Sequence, residues 1–492
     1  MSSSHGSDLN MQDIGLLDRT RRHFLSQCFV GLGNIALGSL LSSGKLMGAN
    51  APRVENPLAP KAPHFPPKVK RVIYLFMAGA PSQFETWLYR PKLSEYDGKP
   101  TPDSFLEGKR FAFMERFMKD KLKLLGPRRN FQQHGESGMW VSEIFPHMAS
   151  VADDLALVHS LTTENFNHAP AKLFVNTGST RFGRPSMGSW LSYGLGSESQ
   201  DLPAFVVLRS GERSLMGGAN LWSSGFLPTT YQGVEFLRSA DPIPNLSSPK
   251  GMSAERQAAR LDAVRDLNLA RLADVGDPEI STRISSYEMA YRMQTSGPEL
   301  MDLSRENQAT LDLYGAKPGE QSFANNCLLA RRMIERGVRF VQCYQTGWDH
   351  HGNRQNNLNE KLDEVALSVD RPAAALIKDL KQRGLLDETL VLFGGEFGRT
   401  PMGEVRESVG RNHHIDNFPM WFAGGGIKAG QTIGEVDELG FFITKDKVEV
   451  HDVQATILHL LGLDHKKLTF RYQGRDFRLT DVGGHVIQKL LA

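Results

Sequence analysis

Residues 70–77 read Lys-Arg-Val-Ile-Tyr-Leu-Phe-Met, and after the two basic residues no polar alternation interrupts the run before Ala78-Gly-Ala-Pro-Ser82. A half-exposed strand alternates apolar with polar; one that is apolar on both faces belongs inside a parallel sheet covered by helices. Leu155-Ala-Leu-Val158 and Ala204-Phe-Val-Val-Leu208 are further strand candidates. Regular alternation begins at Phe323: a helical pattern to Arg336 leads into the apolar run Val338–Tyr344. A longer helical pattern from about Asn357 to Arg383, with Pro372 inside it, leads into Thr389-Leu-Val-Leu-Phe393. Helices and strands in this order imply right-handed crossovers and a parallel sheet. The predicted fold is α/β, with one doubly wound, mainly parallel sheet and helices on both faces over residues 70–482.

Two stretches interrupt the pattern. Residues 92–145 are basic, aromatic and irregular, and read as an insertion between the first two strands. Residues 209–320 are mostly polar, with helical stretches such as Ala254 to Leu272, and read as a helical insertion placed to cover the active edge of the sheet. Near the end, His451–Leu461 has helical spacing at Val453, Ile457, Leu460 and Leu461, with Asp452 as its expected N-cap. Residues 52–69 carry six prolines, Pro52 through Pro67, and read as a linker or extended lead-in.

The N-terminal segment reads as an address. Thr20-Arg-Arg-His-Phe-Leu25 has the form of a twin-arginine export motif, the apolar run Cys28–Leu41 follows it, and Ala49-Asn-Ala51 offers small-x-small cleavage. The apolar run falls short of the ~20 residues that cross a bilayer. Residues 1–51 are therefore expected to be a signal peptide, with the twin-arginine export machinery as partner, a periplasmic or secreted product and no stable membrane span in the mature form. Cys28 precedes the apolar run rather than ending it, which argues against a lipobox. The remaining cysteines, Cys327 and Cys343, supply no disulfide framework. Lysine and arginine (57) nearly balance aspartate and glutamate (55), so nothing points to nucleic acid.

Chemistry-bearing residues gather where strands end, and ligands of open α/β sheets bind beyond the carboxyl ends of the strands. Asp349-His350-His351 follows the run 338–344, Gly394-Gly-Glu396 follows 389–393, and Arg411-Asn-His-His414 precedes the apolar Met420–Ala423. Asp349 and His351, one residue apart, can aim at one ion from an extended loop, and oxygen with imidazole nitrogen suits zinc or another transition metal better than calcium. Glu396 is a third candidate ligand. Arg399 would pair with it or hold an anionic substrate in a bidentate fork. Adjacent side chains in extended backbone point opposite ways, so one of His413 and His414 is expected to be a ligand; the choice here is His414, with His413 meeting substrate. Ser82 and Glu85, after the first strand, face the same crevice, unless Ser82 is a helix N-cap. Thr163, Asn167 and His168 lie where a helix from Ala169 begins, and its unpaired N–H groups and positive dipole end would cradle a tetrahedral anion; a plain N-cap is the alternative for Asn167.

Residues 64–482 resemble a bacterial family of exported proteins known as DUF1501, which belongs with the alkaline phosphatase and sulfatase superfamily. The resemblance rests on Leu75-Phe-Met-Ala-Gly-Ala-Pro-Ser-Gln83, Asn165-Phe-Asn-His-Ala-Pro-Ala171, Gly347-Trp-Asp-His-His-Gly-Asn353, Gly395-Glu-Phe-Gly-Arg-Thr-Pro401, Asn412-His-His414, Gly424-Gly-Gly426 and His451–His459. It implies an alkaline phosphatase-like fold and hydrolysis of phosphate or sulfate esters with one or two divalent ions: zinc, or else calcium, magnesium or manganese. The ligands would fall on Asp349, His351, Glu396 and His414, with Glu85 as the acid after the first strand, while Arg399 or Arg411 would offset substrate charge. The sulfatase nucleophile motif Cys/Ser-x-Pro-x-Arg does not occur. Thr163 is then the nearest hydroxyl, with Asn167 binding the anion while water attacks as the alternative. The expected partner is an anionic ester, a sulfated polysaccharide among the candidates. The rival expectations are a secreted, non-catalytic binding or assembly protein that retains the fold, and a metal-dependent hydrolase of a non-anionic bond.

Overall fold

The computed structural model describes residues 56–107, 111, 122–237 and 252–492. The expected signal peptide, residues 1–51, and the first part of the lead-in lie outside the described residues. The chain divides into two units: Glu55–Asn268 with Asp277–Ala492, which hold the sheet, and a second whose described residues are Leu269–Gly276.

The run at 70–77 becomes β1 (Arg71–Ala78), at the centre of a nine-stranded sheet. In chain order the other strands are β2 (Ala156–Thr162), β3 (Phe205–Ser210), β4 (Val234–Phe236), β5 (Phe340–Thr346) and β6 (Thr389–Gly394). A separate hairpin, β7 (Gly398–Val405) and β8 (Val409–His414), precedes β9 (Phe418–Gly424), β10 (Gln431–Ile433) and β11 (Val448–Glu449). The spatial order is β10-β2-β9-β6-β1-β5-β3-β4, with β11 also on β2. Ile73 of β1 lies opposite Val341 on one side and Val391 on the other, a row of β-branched side chains buried on both faces.

All pairings in this sheet are parallel except those of β9, which runs antiparallel to both β6 and β2. The reason lies in the connection. The β7–β8 hairpin joins β6 to β9 without a helical crossover, and a neighbouring strand reached that way returns antiparallel. As a result β9 begins at the edge where β1, β2, β5 and β6 end. Four segments open there: 79–85, 163–168, 347–353 and 395–417.

Helices cover both faces. Of the helices used below, α1 (His168–Thr177), α2 (Ala254–Val275) and α3 (Pro278–Met301) precede α4 (Phe323–Glu335), α5 (Lys361–Gln382) and α6 (Val450–Leu460). Asn176 of α1 accepts from Gln342 Nε2 at 2.6 Å and from Tyr344 Oη at 3.2 Å. The intervening Cys343 points the other way, its Sγ 3.8 Å from Asn326 O of α4. Ser322 caps α4 by accepting Asn325 N–H at 3.2 Å, and α5, with Pro372 inside it, packs on α4.

The stretch 209–320, read as an insertion with helical stretches, holds α2 and α3 and also β4, which extends the sheet. One expectation needs correction. The N-cap of α6 is Glu449, not Asp452; the Asp452 carboxylate reaches back from the first turn and accepts Glu449 N–H at 2.9 Å. Among the described residues, no helix is long and apolar enough to cross a membrane.

Candidate metal centre

Three of the four edge segments converge on one point. His168 is the first residue of α1, Asp349 and His351 lie in the loop after β5, and His413 is near the end of β8. One donor atom from each of these four lies within 4.8 Å of the others. The loops meet backbone to backbone. Arg411 N–H donates to His350 O at 3.0 Å, and a Cβ on Gly79, whose φ is +115°, would stand 2.7 Å from Asp349 N. Gly410 packs so closely that a Cβ there would collide with His351 C and Gly352 N.

Each imidazole is held by its far nitrogen. His168 Nδ1 is 2.6 Å from Glu396 Oε1, His351 Nδ1 is 2.6 Å from Glu404 Oε2, and His413 Nδ1 is 2.6 Å from Phe166 O. A carbonyl and two carboxylates can only accept, so each Nδ1 carries the proton and each Nε2 turns a lone pair inward. Both carboxylates are ionised. Burial alone would raise them, but Lys172 and His168 bring Glu396 down to about 2, and His351 and Arg406 lower Glu404. The three Nε2 atoms surround Asp349 Oδ1, at 3.2 Å from His168, 2.9 Å from His351 and 3.4 Å from His413; His351 and His413 Nε2 are 3.0 Å apart.

Four acceptors facing each other at such distances repel unless a cation lies between them. With zinc–ligand bonds near ~2.1 Å, the ligands of a tetrahedral site stand ~3.4 Å apart; these four separations lie at or below that spacing, and all four atoms fall within 4.8 Å of one another. His168 Nε2 is buried with no hydrogen-bond partner, although 3.2 Å from Asp349 Oδ1. Histidine ligands whose second N–H is held by a carboxylate or carbonyl are the usual arrangement around a metal. The donor set fits a divalent transition-metal ion and does not suit calcium or magnesium, which take oxygen shells.

Burial and the neighbouring charges act differently on each group of the cluster. Burial opposes ionisation of Asp349, but the Arg399 guanidinium, 2.6 Å away, outweighs it and holds the carboxyl far below the usual carboxylate range. Burial would lower His168; Asp349 and Glu396 outweigh it and raise this imidazole. His413 goes down to about 3, because burial together with the charges on Arg399 and His168 exceeds the pull of Asp349. The open side belongs to Asp349 and His351, with side chains 24% and 15% exposed.

The family described as Protein of unknown function (DUF1501) matches residues 69–491. The chain belongs to this family. No curated protein matches it. Among solved structures it is distantly similar to the lipoteichoic acid synthase LtaP from Listeria monocytogenes, at 10% identity and a TM-score of 0.36 over 87% of this chain and 80% of that one. It is also similar to the PsFucS1 sulfatase from Pseudoalteromonas sp., at 14% identity and a TM-score of 0.31 over 80% and 68%. A protein in the alkaline phosphatase superfamily from Vibrio parahaemolyticus matches at 11% identity and a TM-score of 0.31 over 87% and 74%.

Of the residues singled out in this family member's sequence, Asp349 and His351 stand together in the centre. Others move. His168, expected at an anion cradle, is one of the four converging donors. His413 takes the place expected of His414, whose ring turns away to Phe441 O and the rings of Phe111 and Phe442. Glu396 is fully buried behind the centre, where it accepts Gly79 N–H at 3.1 Å and lies 3.4 Å from Lys172 Nζ. Glu85 is not a ligand either; it forms a buried ion pair with Arg411 at 2.8 Å and accepts the Ser82 hydroxyl.

Neither arginine has a fork to offer substrate. Arg399 donates to Ala80 O (2.9 Å), Arg411 O (3.1 Å), Gly79 O and Asp349 Oδ1 (2.6 Å), with its remaining N–H toward His351 Nε2 at 3.5 Å. Arg411 is held by Glu85, Thr400 O and Gly126 O. Ser82 occupies the N-cap position of the short helix Gln83–Thr86, but its hydroxyl goes to Glu85. Asn167 is exposed at the N-cap position of α1 and makes no side-chain cap bond. Thr163 is buried; its N–H donates to Ile415 O at 3.0 Å, and its hydroxyl has no hydrogen-bond partner. Sequence reading missed Glu404, Lys172 and the Phe166 carbonyl. Lys172 had a usable signal, since it stands four residues after His168 on one helix face, inside the apolar Ala171–Val175.

Proposed function

We propose that the protein is an exported, metal-dependent hydrolase of sulfate or phosphate esters whose cation is held by His168, Asp349, His351 and His413. The observation that carries this reading is the convergence of four donor atoms, with each imidazole fixed from behind by an acceptor. Three nitrogens and one oxygen within reach of one ion favour zinc. Bound there, such a cation supplies Lewis acidity to an ester oxygen. The protein's own groups prepare that position: Glu396, Glu404 and the Phe166 carbonyl set the tautomers, and Arg399 keeps Asp349 ionised. The partly exposed Asp349–His351 side admits the ester. Thr163, with a buried and unpartnered hydroxyl in the turn before His168, is the candidate nucleophile, with water as the alternative. Export follows from the motif at Thr20–Leu25 and the residues after it, and suits a protein that folds around its metal before leaving the cytoplasm.

A second reading has one observation in its favour. Four protein ligands complete a tetrahedron, as in structural zinc sites, whereas catalytic sites keep a position open; a secreted binding or assembly protein would be built that way. Elemental mass spectrometry of the purified chain, beside an Asp349→Ala, His351→Ala double variant, followed by assay on aryl phosphate and aryl sulfate esters, separates the two. Stoichiometric metal that disappears in the variant, with ester cleavage that disappears too, is the expected result. Metal without cleavage of any ester points to the binding protein, and a chain that takes up no metal ends the proposal.

A further inference from the structure

The acids of the centre are matched one for one by bases. Asp349 Oδ1 meets Arg399 Nη2 at 2.6 Å, Glu396 Oε1 lies 3.4 Å from Lys172 Nζ, and Glu404 is paired with Arg406. The three imidazoles are neutral when their Nε2 atoms hold a cation. The protein therefore contributes no net charge at this point, and a divalent cation there keeps both of its positive charges uncompensated. Neither Arg399 nor Arg411 is free to attract an anion, because their donors are committed to carbonyls and carboxylates.

In a partly buried site such an excess acts strongly, since the effective dielectric constant is well below that of water. A ligand with two negative charges restores neutrality; one with a single charge leaves half the excess standing. We propose that the metal-loaded site selects doubly charged phosphoryl groups, phosphate monoesters and phosphonates, over singly charged sulfate esters and phosphate diesters, and that Lys172, Arg399 and Arg406 set this preference by balancing the acids. The inference rests on the reading of the site as a metal-dependent ester hydrolase and narrows its substrate class.

Phenylphosphonate and benzenesulfonate share a ring and a tetrahedral head group and, well above the second phosphoryl ionisation near pH ~6, differ by one charge. Calorimetric titration of the zinc-loaded full chain with each, at low salt and ~pH 8.5, should give phosphonate binding at least ~10-fold tighter, and the zinc-free chain should bind neither. Zinc itself favours phosphonate, so the decisive comparison is with Arg406→Gln and Arg406→Glu. The Arg406 side chain is 46% exposed and outside the ligand set, so these variants change charge without opening the core. With zinc stoichiometry unchanged, the preference should narrow roughly two- to fivefold in the first and further in the second. Equal affinities, or a ratio unmoved by either variant while zinc remains bound, would overturn the inference and leave the hydrolase reading standing. Failure of the wild-type chain to take up zinc would overturn both.

Discussion

Two buried polar clusters stand at the carboxyl edge of the sheet, one around Glu85 and Arg411, the other around Asp349 and the three histidines. Both draw on the segment after β1 and on the β7–β8 hairpin, and both contain acids and bases of the types that mark catalytic sites. In the first, every charge is answered inside the protein. Arg411 reaches Glu85 through Nε and Nη2, donates otherwise to carbonyls, and has the Phe84 ring 4.7 Å from its guanidinium carbon. In the second, each imidazole is held by Nδ1 on the far side, while on the near side the three Nε2 atoms face Asp349 Oδ1, with the Arg399 guanidinium beside it. The first cluster closes on itself, and the second is the one that could hold a metal ion. Residue type does not separate them; unmatched lone pairs do.

The comparison breaks most visibly at His413. His413→Ala should abolish stoichiometric metal and, with it, the rise in melting temperature that added zinc gives the wild type, a gain worth about 2.7 kcal/mol at a hundredfold excess over Kd. Retained metal in this variant would mean that the four donors do not act together. Glu85→Ala leaves the Arg411 guanidinium buried without its partner and should cost about 3–5 kcal/mol in urea denaturation, while the folded fraction still binds one ion. Metal loss with stability intact would invert the roles assigned to the two clusters. Glu396→Gln keeps a hydrogen-bond acceptor for His168 but removes the charge that Lys172 balances; metal affinity should fall about 10–100-fold in a chelator competition. The smallest effect is expected at His414. His414→Phe should lose about 1 kcal/mol of stability with the hydrogen bond to Phe441 O and no metal, and an altered metal content there would restore it as a ligand.

Much of the sheet could be read from sequence because strands buried on both faces are continuous apolar runs, as at 70–77, 338–344 and 389–393. The direction of β9 could not, since Met420–Ala423 is equally apolar either way and only the hairpin before it forces the reversal. The short strands β4, β10 and β11, of 3, 3 and 2 residues, lie below the length at which a pattern shows. In the site, Asp349 and His351 were legible because a period of two survives in an extended loop. The same rule pointed to His414, but the ladder shifts register between Arg411 and His413, and only the pairing with β7 sets which ring turns toward the centre. Glu396 follows its strand as a ligand would, and lies fully buried, where it accepts from Gly79 N–H and pairs with His168 Nδ1.

The close backbone contacts at Gly79 and Gly410 carry a consequence for inheritance. The loop that carries Asp349 and His351 is wedged between them with less clearance than one methyl group, so its aim depends on residues outside the four-donor cluster. Selection on this protein would act through two kinds of position: ligands whose loss is obvious, and glycines whose replacement by alanine leaves every donor in the sequence while spoiling their convergence. A survey of damaging variants limited to the chemistry-bearing side chains would miss half the map.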